Sequence, residues 1–463
     1  MRARTLASLL ALCAVAFAAP PAARADDPKI QFERYTLPNG LEVILMPDRS
    51  LPLAVVHVLY HVGAANETPG KSGYAHLFEH MMFAGSGHIP HGQADDILTR
   101  IGSPDNNGGT SEDQTVYYEV VPAHQLETAM WIESDRMGYM LDGINQQSLD
   151  TQIDVVRNER RQRDEEVAYG PEYLALGEAL FPEGHPYRYR VIGRHEDLAQ
   201  ASLADVRGFF LSWYMPANAT LLIGGDFDPA TVKQLVDKWF GDFPKTARPP
   251  RPQVATPTIA ATKRITVPDP RAKLVRVHYA WITPRYYGPG DAELDLLGQV
   301  LGQEGTGRLY RILVIDKQLA QNVAVYESSA ALSSTFEVVV DLQPGADQAA
   351  VEKIIDEEID RARREPMSQR EFDRAVIAMR VRFVWGLEGL LARASVLQSY
   401  NAYVGTPDYI TADLDRYRTS SPEKVRAVAE TYLAREHRVE AITVPTAAPA
   451  TPPAAAPDSK GGK

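Results

Sequence analysis

His76 and His80 stand four residues apart in the stretch SGYAHLFEHMMFAGSG, Ser72 to Gly87, with Glu79 directly before the second histidine. On a helix, residues i and i+4 lie on one face about one turn apart, so both imidazoles can point at a single cation. Glu79 flanks that face and is placed to take a proton from a water beside the cation without ligating it. The order reverses that of the H-E-x-x-H zinc helix while keeping its geometry. The competing reading is a core helix with a polar edge. Two histidines and a glutamate among Tyr, Leu, Phe and Met would be costly to bury alone, and a metal supplies their partner. His57 and His61, in HVLYH, share the four-residue spacing but lie in a β-rich run. On a strand they would be about 13 Å apart, so they are read as sheet residues.

A catalytic zinc commonly takes three protein ligands and leaves a fourth position open. The sole cysteine, Cys13, sits in an N-terminal leader, so the third ligand must be a carboxylate or another histidine. The stretch LDTQIDVVRNERRQRDEE offers Asp154, Glu159, Glu165 and Glu166, which spacing alone does not separate. Its Val155 and Val156 are read as a buried side. His88 and His91, in a Gly/Pro-rich loop, are rivals.

The elements that must hold these groups come in two sets. In the first half, YTLPNGLEVILMP reads as a turn-interrupted hairpin, LAVVHVLYHVG and ATLLIGGDF as strands, with helical patterns between. In the second, LVRVHYAWI precedes a helix, NVAVYESS and FEVVVDL read as neighbouring strands, and long 3.6-residue periodicities follow. Aligning Gly85-Ser-Gly87 with Gly305-Thr-Gly307 sets Leu296, Gln299 and Val300 opposite His76, Glu79 and His80. A duplicated second half would therefore carry no metal ligands. The fold class expected is α+β: two homologous domains, each a mostly antiparallel sheet packed with helices, joined by a proline-rich linker. The boundaries are a leader over 1–25, a catalytic zinc-binding domain over 30–244, a linker over 245–260, a non-catalytic repeat over 261–445 and a disordered tail over 446–463.

Arg2 and Arg4, an apolar run and Ala23-Arg-Ala25 make the leader a cleaved secretory signal, and a cysteine-free mature chain of this size suits a bacterial periplasm. Removing its three arginines moves the formal net charge from −12 to −15. So acidic a chain, with no basic block, is a poor nucleic-acid binder. No internal apolar run approaches the roughly 18 residues of a membrane span.

H-x-x-E-H followed just under eighty residues later by VVRNERRQ resembles the pitrilysin/insulinase family of inverted-motif zinc peptidases, which includes the mitochondrial processing peptidase subunits. LPNGLEVIL, NGGTSEDQTVYYEVVP and WYMPANATLLIGGDFDP fit its first-half pattern. The resemblance implies Zn2+ held by His76, His80 and Glu159, with Glu79 as catalytic base. It implies a substrate-binding edge at Asn107, Gly108, Gly109 and Thr110, where a peptide pairs as an added β-strand. Two positions depart from the pattern. Gln152 stands where relatives often carry a glutamate near the metal's supporting shell. Val314 and Gln321 replace an arginine and a tyrosine that reach the substrate in relatives, with Arg308 and Tyr310 close by but out of register. Two functions follow from different classes: a zinc endopeptidase acting on peptides, working as a homodimer or as a heterodimer with a related inactive subunit, or a non-hydrolytic binding or assembly subunit with a structural zinc. Retention of Glu79 favours the first, since a structural site needs no base.

Overall fold

The computed structural model describes residues 27–446. The expected leader and all but Thr446 of the expected tail lie outside them. Among the described residues eleven strands form two sheets: β1 (Glu33–Thr36), β2 (Glu42–Pro47), β3 (Leu53–Tyr60), β4 (Asp105–Thr110), β5 (Thr115–Pro122) and β6 (Ala219–Gly225) in the first, then β7 (Lys263–Asp269), β8 (Arg276–Thr283), β9 (Ala320–Ser328), β10 (Ser334–Leu342) and β11 (Arg438–Pro445) in the second. Their orders are β1-β2-β6-β3-β5-β4 and β7-β11-β8-β10-β9. With β1 set aside, the two orders are the same when each half is numbered from its own start. In both, the first and last strands pair parallel and every other pair is antiparallel. The halves are thus two α+β domains of one topology. β1 and β2 form the expected hairpin, Glu33 opposite Leu45 through Thr36 opposite Glu42.

Strand composition explains the burial. β6 reads ATLLIGG and is buried along its whole length, and β3 (LAVVHVLY) is buried at every residue but Leu53, as central strands covered on both faces should be. One face of the first sheet meets the domain's own helices through Leu41, Val56, Val58, Phe78, Met81 and Tyr214, among others. The opposite face, with Ile44, Met46, Val55 and Leu222, is covered by Ala394 and Leu397 from the second domain's helix Leu390–Val404. Reciprocally, Leu176 and Leu180 from the first domain's helix Gly170–Leu180 cover Ala280, Val439 and Ala441 of the second sheet. These two clasp helices occupy corresponding places in their halves, so each domain roofs the other's sheet.

Both clasps carry buried polar side chains aimed at the foreign sheet. Gln398 donates to the carbonyls of His57 on β3 and Thr220 on β6, at 3.0 and 2.9 Å. Glu172 faces His278 on β8 and Thr443 on β11. Residues 244–259 form neither helix nor strand, and Arg251 there donates to the Ala402 carbonyl at 2.7 Å. Among the described residues no helix is long and apolar enough to cross a membrane.

Candidate metal centre

The motif helix, Tyr74–Met82, starts at Gly73, whose φ of +87° is one that L side chains rarely adopt; a Cβ there would also lie 2.6 Å from the Ile192 carbonyl oxygen. A glycine has no side chain to cap the first turn. Glu67 takes over, its carboxylate accepting from Gly73 N at 3.0 Å and Ala75 N at 2.8 Å. Leu77, Phe78, Met81 and Met82 seat the helix in the core. The remaining face presents His76 and His80, whose rings meet edge to face with centroids 4.8 Å apart.

Glu159 arrives from a second helix, Gln146–Arg160, which Asn145 and Ser148 cap reciprocally. Leu149, Gln152 and Val156 are its buried residues, and the next step of that 3-4 spacing is Glu159. The His76 and His80 Nε2 atoms lie 3.8 and 3.2 Å from one oxygen, Glu159 Oε2. Two donors each about 2.0 Å from a tetrahedral zinc would stand about 3.3 Å apart, so this set has the right chemistry and spacing for the ion. Among the described residues it is the only trio of histidine, cysteine or acid groups whose donor atoms converge in this way. Arg163 pairs with the other oxygen, Glu159 Oε1, at 2.5 Å. Burial, and then the neighbouring His80, pulls His76 below the usual histidine range, leaving its lone pair free for a cation. The hydrogen bond with His80 holds Glu159 below the usual carboxylate range.

The other candidates are placed elsewhere. Asp154 and Glu166 are exposed, and Glu165 pairs with Arg160 at 2.9 Å and His195 at 3.0 Å. His88 bonds Asp135 at 2.5 Å and His91 is exposed. His57 is buried against Tyr118, while His61 bonds Thr220 on β6. Val155 is a correction: it is 42% exposed, because adjacent helical residues point about 100° apart and only Val156 can share the buried face. Gln152 is buried on that face, one step before Val156.

Glu79 is buried beside the histidines, and burial pushes its carboxyl up, an effect opposed by a hydrogen bond from Thr110. Thr110 Oγ1 donates to Glu79 Oε2 at 2.6 Å. Thr110 ends β4, an edge strand that pairs only with β5 and leaves its other side open. Asn107, Gly108 and Gly109 lie on the same strand. A Cβ on Gly108 would meet the Phe83 ring at 3.0 Å, so glycine keeps the strand close over the motif helix. The resemblance implied β4 as a substrate edge but not the hydroxyl bond that Thr110 makes to Glu79.

In the second domain the helix following β8, Asp291–Gly302, buries Leu296 and Val300, and Arg382 donates to Gln299 Oε1 at 3.1 Å. Among the described residues no ligand set faces that helix. Val314 packs against the second core and Gln321 is exposed on β9. Arg308 forms a bidentate pair with Glu371, at 2.7 and 2.8 Å, and Tyr310 packs on the same core.

A duplicated α+β chain with an inverted histidine–glutamate helix in its first half only has the architecture of a two-domain metallopeptidase. Residues 43–174 match the family model for insulinase, peptidase family M16, and residues 200–379 match the model for the M16 inactive domain. The chain belongs to the M16, or pitrilysin/insulinase, family. It is 28% identical to the zinc protease PqqE of Helicobacter pylori over 83% of this chain and 87% of that protein. It is 22% identical to the uncharacterized zinc protease YmxG of Bacillus subtilis, over 89% and 98%. A protease structure from Helicobacter pylori superposes with a TM-score of 0.83 at 25% identity, covering 90% of this chain and all of that one. The M16 inactive domain from Pseudomonas fluorescens shares the fold at a TM-score of 0.79 and 17% identity, over 90% and 99%.

Proposed function

We propose that this chain is a zinc-dependent endopeptidase of the bacterial periplasm that hydrolyses extended peptides, with Glu79 as general base. The observation that carries the reading is the convergence of His76, His80 and Glu159 beside a buried, hydrogen-bonded Glu79. A zinc held by those three residues would polarise the scissile carbonyl and make water more acidic. Glu79 then takes the proton from the attacking water and delivers it to the leaving amine. The open side of β4 offers backbone donors and acceptors to a peptide lying as a further strand, which favours extended segments over folded proteins. The periplasmic assignment rests on the leader. Its test is fractionation of the full-length chain: a mature form beginning after residue 25 in the periplasm is expected, and an uncleaved cytoplasmic chain overturns it.

Thr110 fixes the base, so Thr110→Val is expected to lower the hydrolytic rate about tenfold or more at unchanged zinc content, given about 1.5–3 kcal/mol for a hydrogen bond to a charged group. Thr110→Ser should restore most of the rate. Steady-state kinetics with metal analysis on both variants checks this, and full activity in the valine variant removes Thr110 from the mechanism.

Of the two residues near the places of the arginine and tyrosine found in relatives, Arg308 is held by Glu371 and Tyr310 packs against the second core. We infer that a related chain lacking H-x-x-E-H supplies the arginine and tyrosine, in a heterodimer closing around the peptide. The Escherichia coli periplasmic protease PqqL has a fold in which this chain covers only 48% of the polypeptide, consistent with two such units acting together. An oxyanion stabiliser is typically worth about a hundredfold to a thousandfold in rate. Adding the related chain should therefore raise activity on a peptide library by about that factor. Strong activity of the purified chain alone, unchanged by the addition, sinks the heterodimer.

A further inference from the structure

His278 lies within β8, fully buried, with a carboxylate against each ring nitrogen: Glu172 Oε1 is 2.7 Å from Nδ1 and Glu337 Oε2 is 2.9 Å from Nε2. An ionised carboxylate only accepts, so both nitrogens must donate and the ring is an imidazolium. The surrounding groups complete the arrangement. Thr443 donates to the second oxygen of Glu172, while Tyr326 and Thr335 donate to Glu337 at 2.7 Å each. From the helix above, the Tyr173 ring stands edge-on at 5.9 Å, and Arg276, two residues back on β8, is paired with Asp341. Burial pulls His278 down, but its bonds to Glu172 and Glu337 outweigh this and raise it to about 9.

Glu172 belongs to the first domain's clasp helix; His278 and Glu337 belong to the second domain. Buried ion pairs add little net stability, but removing one partner leaves an uncompensated charge and is costly. That suits a group which holds a position. The clasp helix begins at Gly170, packed so closely on the Asp164 carbonyl that a Cβ would sit 1.9 Å from its oxygen. Asp164 lies in the turn Arg161–Glu165, which continues directly from the helix bearing Glu159. Tyr169 N is also anchored to Asp269 Oδ2 on β7 at 2.6 Å. Little slack separates the metal-site carboxylate from the second domain's sheet.

We propose that Glu172, His278 and Glu337 form a charged latch through which the second domain fixes Glu159, making His278 a positioning residue for metal binding. The proposal rests on the zinc reading above. The experiment measures zinc affinity by chelator competition on the full mature chain, its His278→Gln variant and the Glu172→Gln/His278→Gln double variant. His278→Gln leaves two buried carboxylates facing an amide, and its affinity should fall about tenfold to a hundredfold, as for lost supporting contacts at metal sites. The double variant also lacks the charged latch, so its affinity should stay at least about tenfold below wild type.

The pH series reads the same latch without a variant. The folded value of His278 lies above its ordinary 6.5, so its contribution is complete below that pH and is lost as pH rises through about 9. Wild-type affinity should fall across that upper range more steeply than that of the double variant. A folded His278→Gln that binds zinc as tightly as wild type overturns the latch and leaves the zinc reading standing. If the single variant fails to fold, wild-type affinity in a folded double variant, or parallel pH profiles, overturns it. A wild-type chain that binds no zinc overturns the zinc reading first.

Discussion

Glu79→Gln should keep one zinc per chain and the native fold while lowering peptide hydrolysis by about a hundredfold to ten-thousandfold, the range expected when a positioned general base is lost. The substituted amide matches the carboxylate in shape and can still accept the hydrogen bond that Thr110 now donates at 2.6 Å. It has no basic oxygen for the water's proton. Glu79 does not belong to the converging donor set, so metal content should not change. Single-turnover cleavage of a mixed peptide library, alongside metal analysis, separates the two properties. Cleavage by this variant at near wild-type rate would falsify the base assignment and leave the metal assignment untouched. The same variant discriminates between the function classes: a chain whose zinc is purely structural would show no hydrolysis to lose.

Glu159→Ala and His76→Ala should each take bound zinc from about one per chain to near zero after dialysis against a weak chelator, because a three-ligand site reduced to two loses its grip on the ion. Glu159 offers both histidines a single oxygen, whereas Glu165 is engaged by Arg160 and His195 and Asp154 and Glu166 are exposed to solvent. Unchanged zinc in Glu159→Ala would require another carboxylate or His88 and His91 to swing in, although His88 is bound to Asp135. Far-UV circular dichroism guards the comparison, since the site side chains contribute little to the core beneath them.

The motif helix was legible because helical geometry and the cost of burying unpaired polar groups act on the same few residues. Glu159 was legible by resemblance only, yet the stripe Leu149–Gln152–Val156 leads straight to it and would have separated it from Asp154. That same periodicity excludes Val155 from the buried side. The succession of strands and then helices could be read as a repeat, because each half runs through it once, but the order of strands within the sheets could not. The clasp was not legible. GPEYLALGEAL shows a helix that must be buried but carries no sign of which sheet receives it, since that choice is made by contacts about a hundred residues or more away in sequence. The role of Thr110 escaped for a related reason: its partner lies 31 residues back on another element.

The reciprocal clasp also bears on ancestry. A single half-chain, folded alone, would expose one face of its sheet, and its own clasp helix would have no home. A single half of this design could cover its sheet only as a symmetric pair, each copy lending a helix to the other, in the manner of a domain-swapped dimer. Joining the two copies through a proline-rich tether made that exchange intramolecular and no longer dependent on concentration. Once the copies shared one chain, only one needed to keep the histidines. The second half carries Leu296, Gln299 and Val300 at the corresponding places and still supplies the roof for the first.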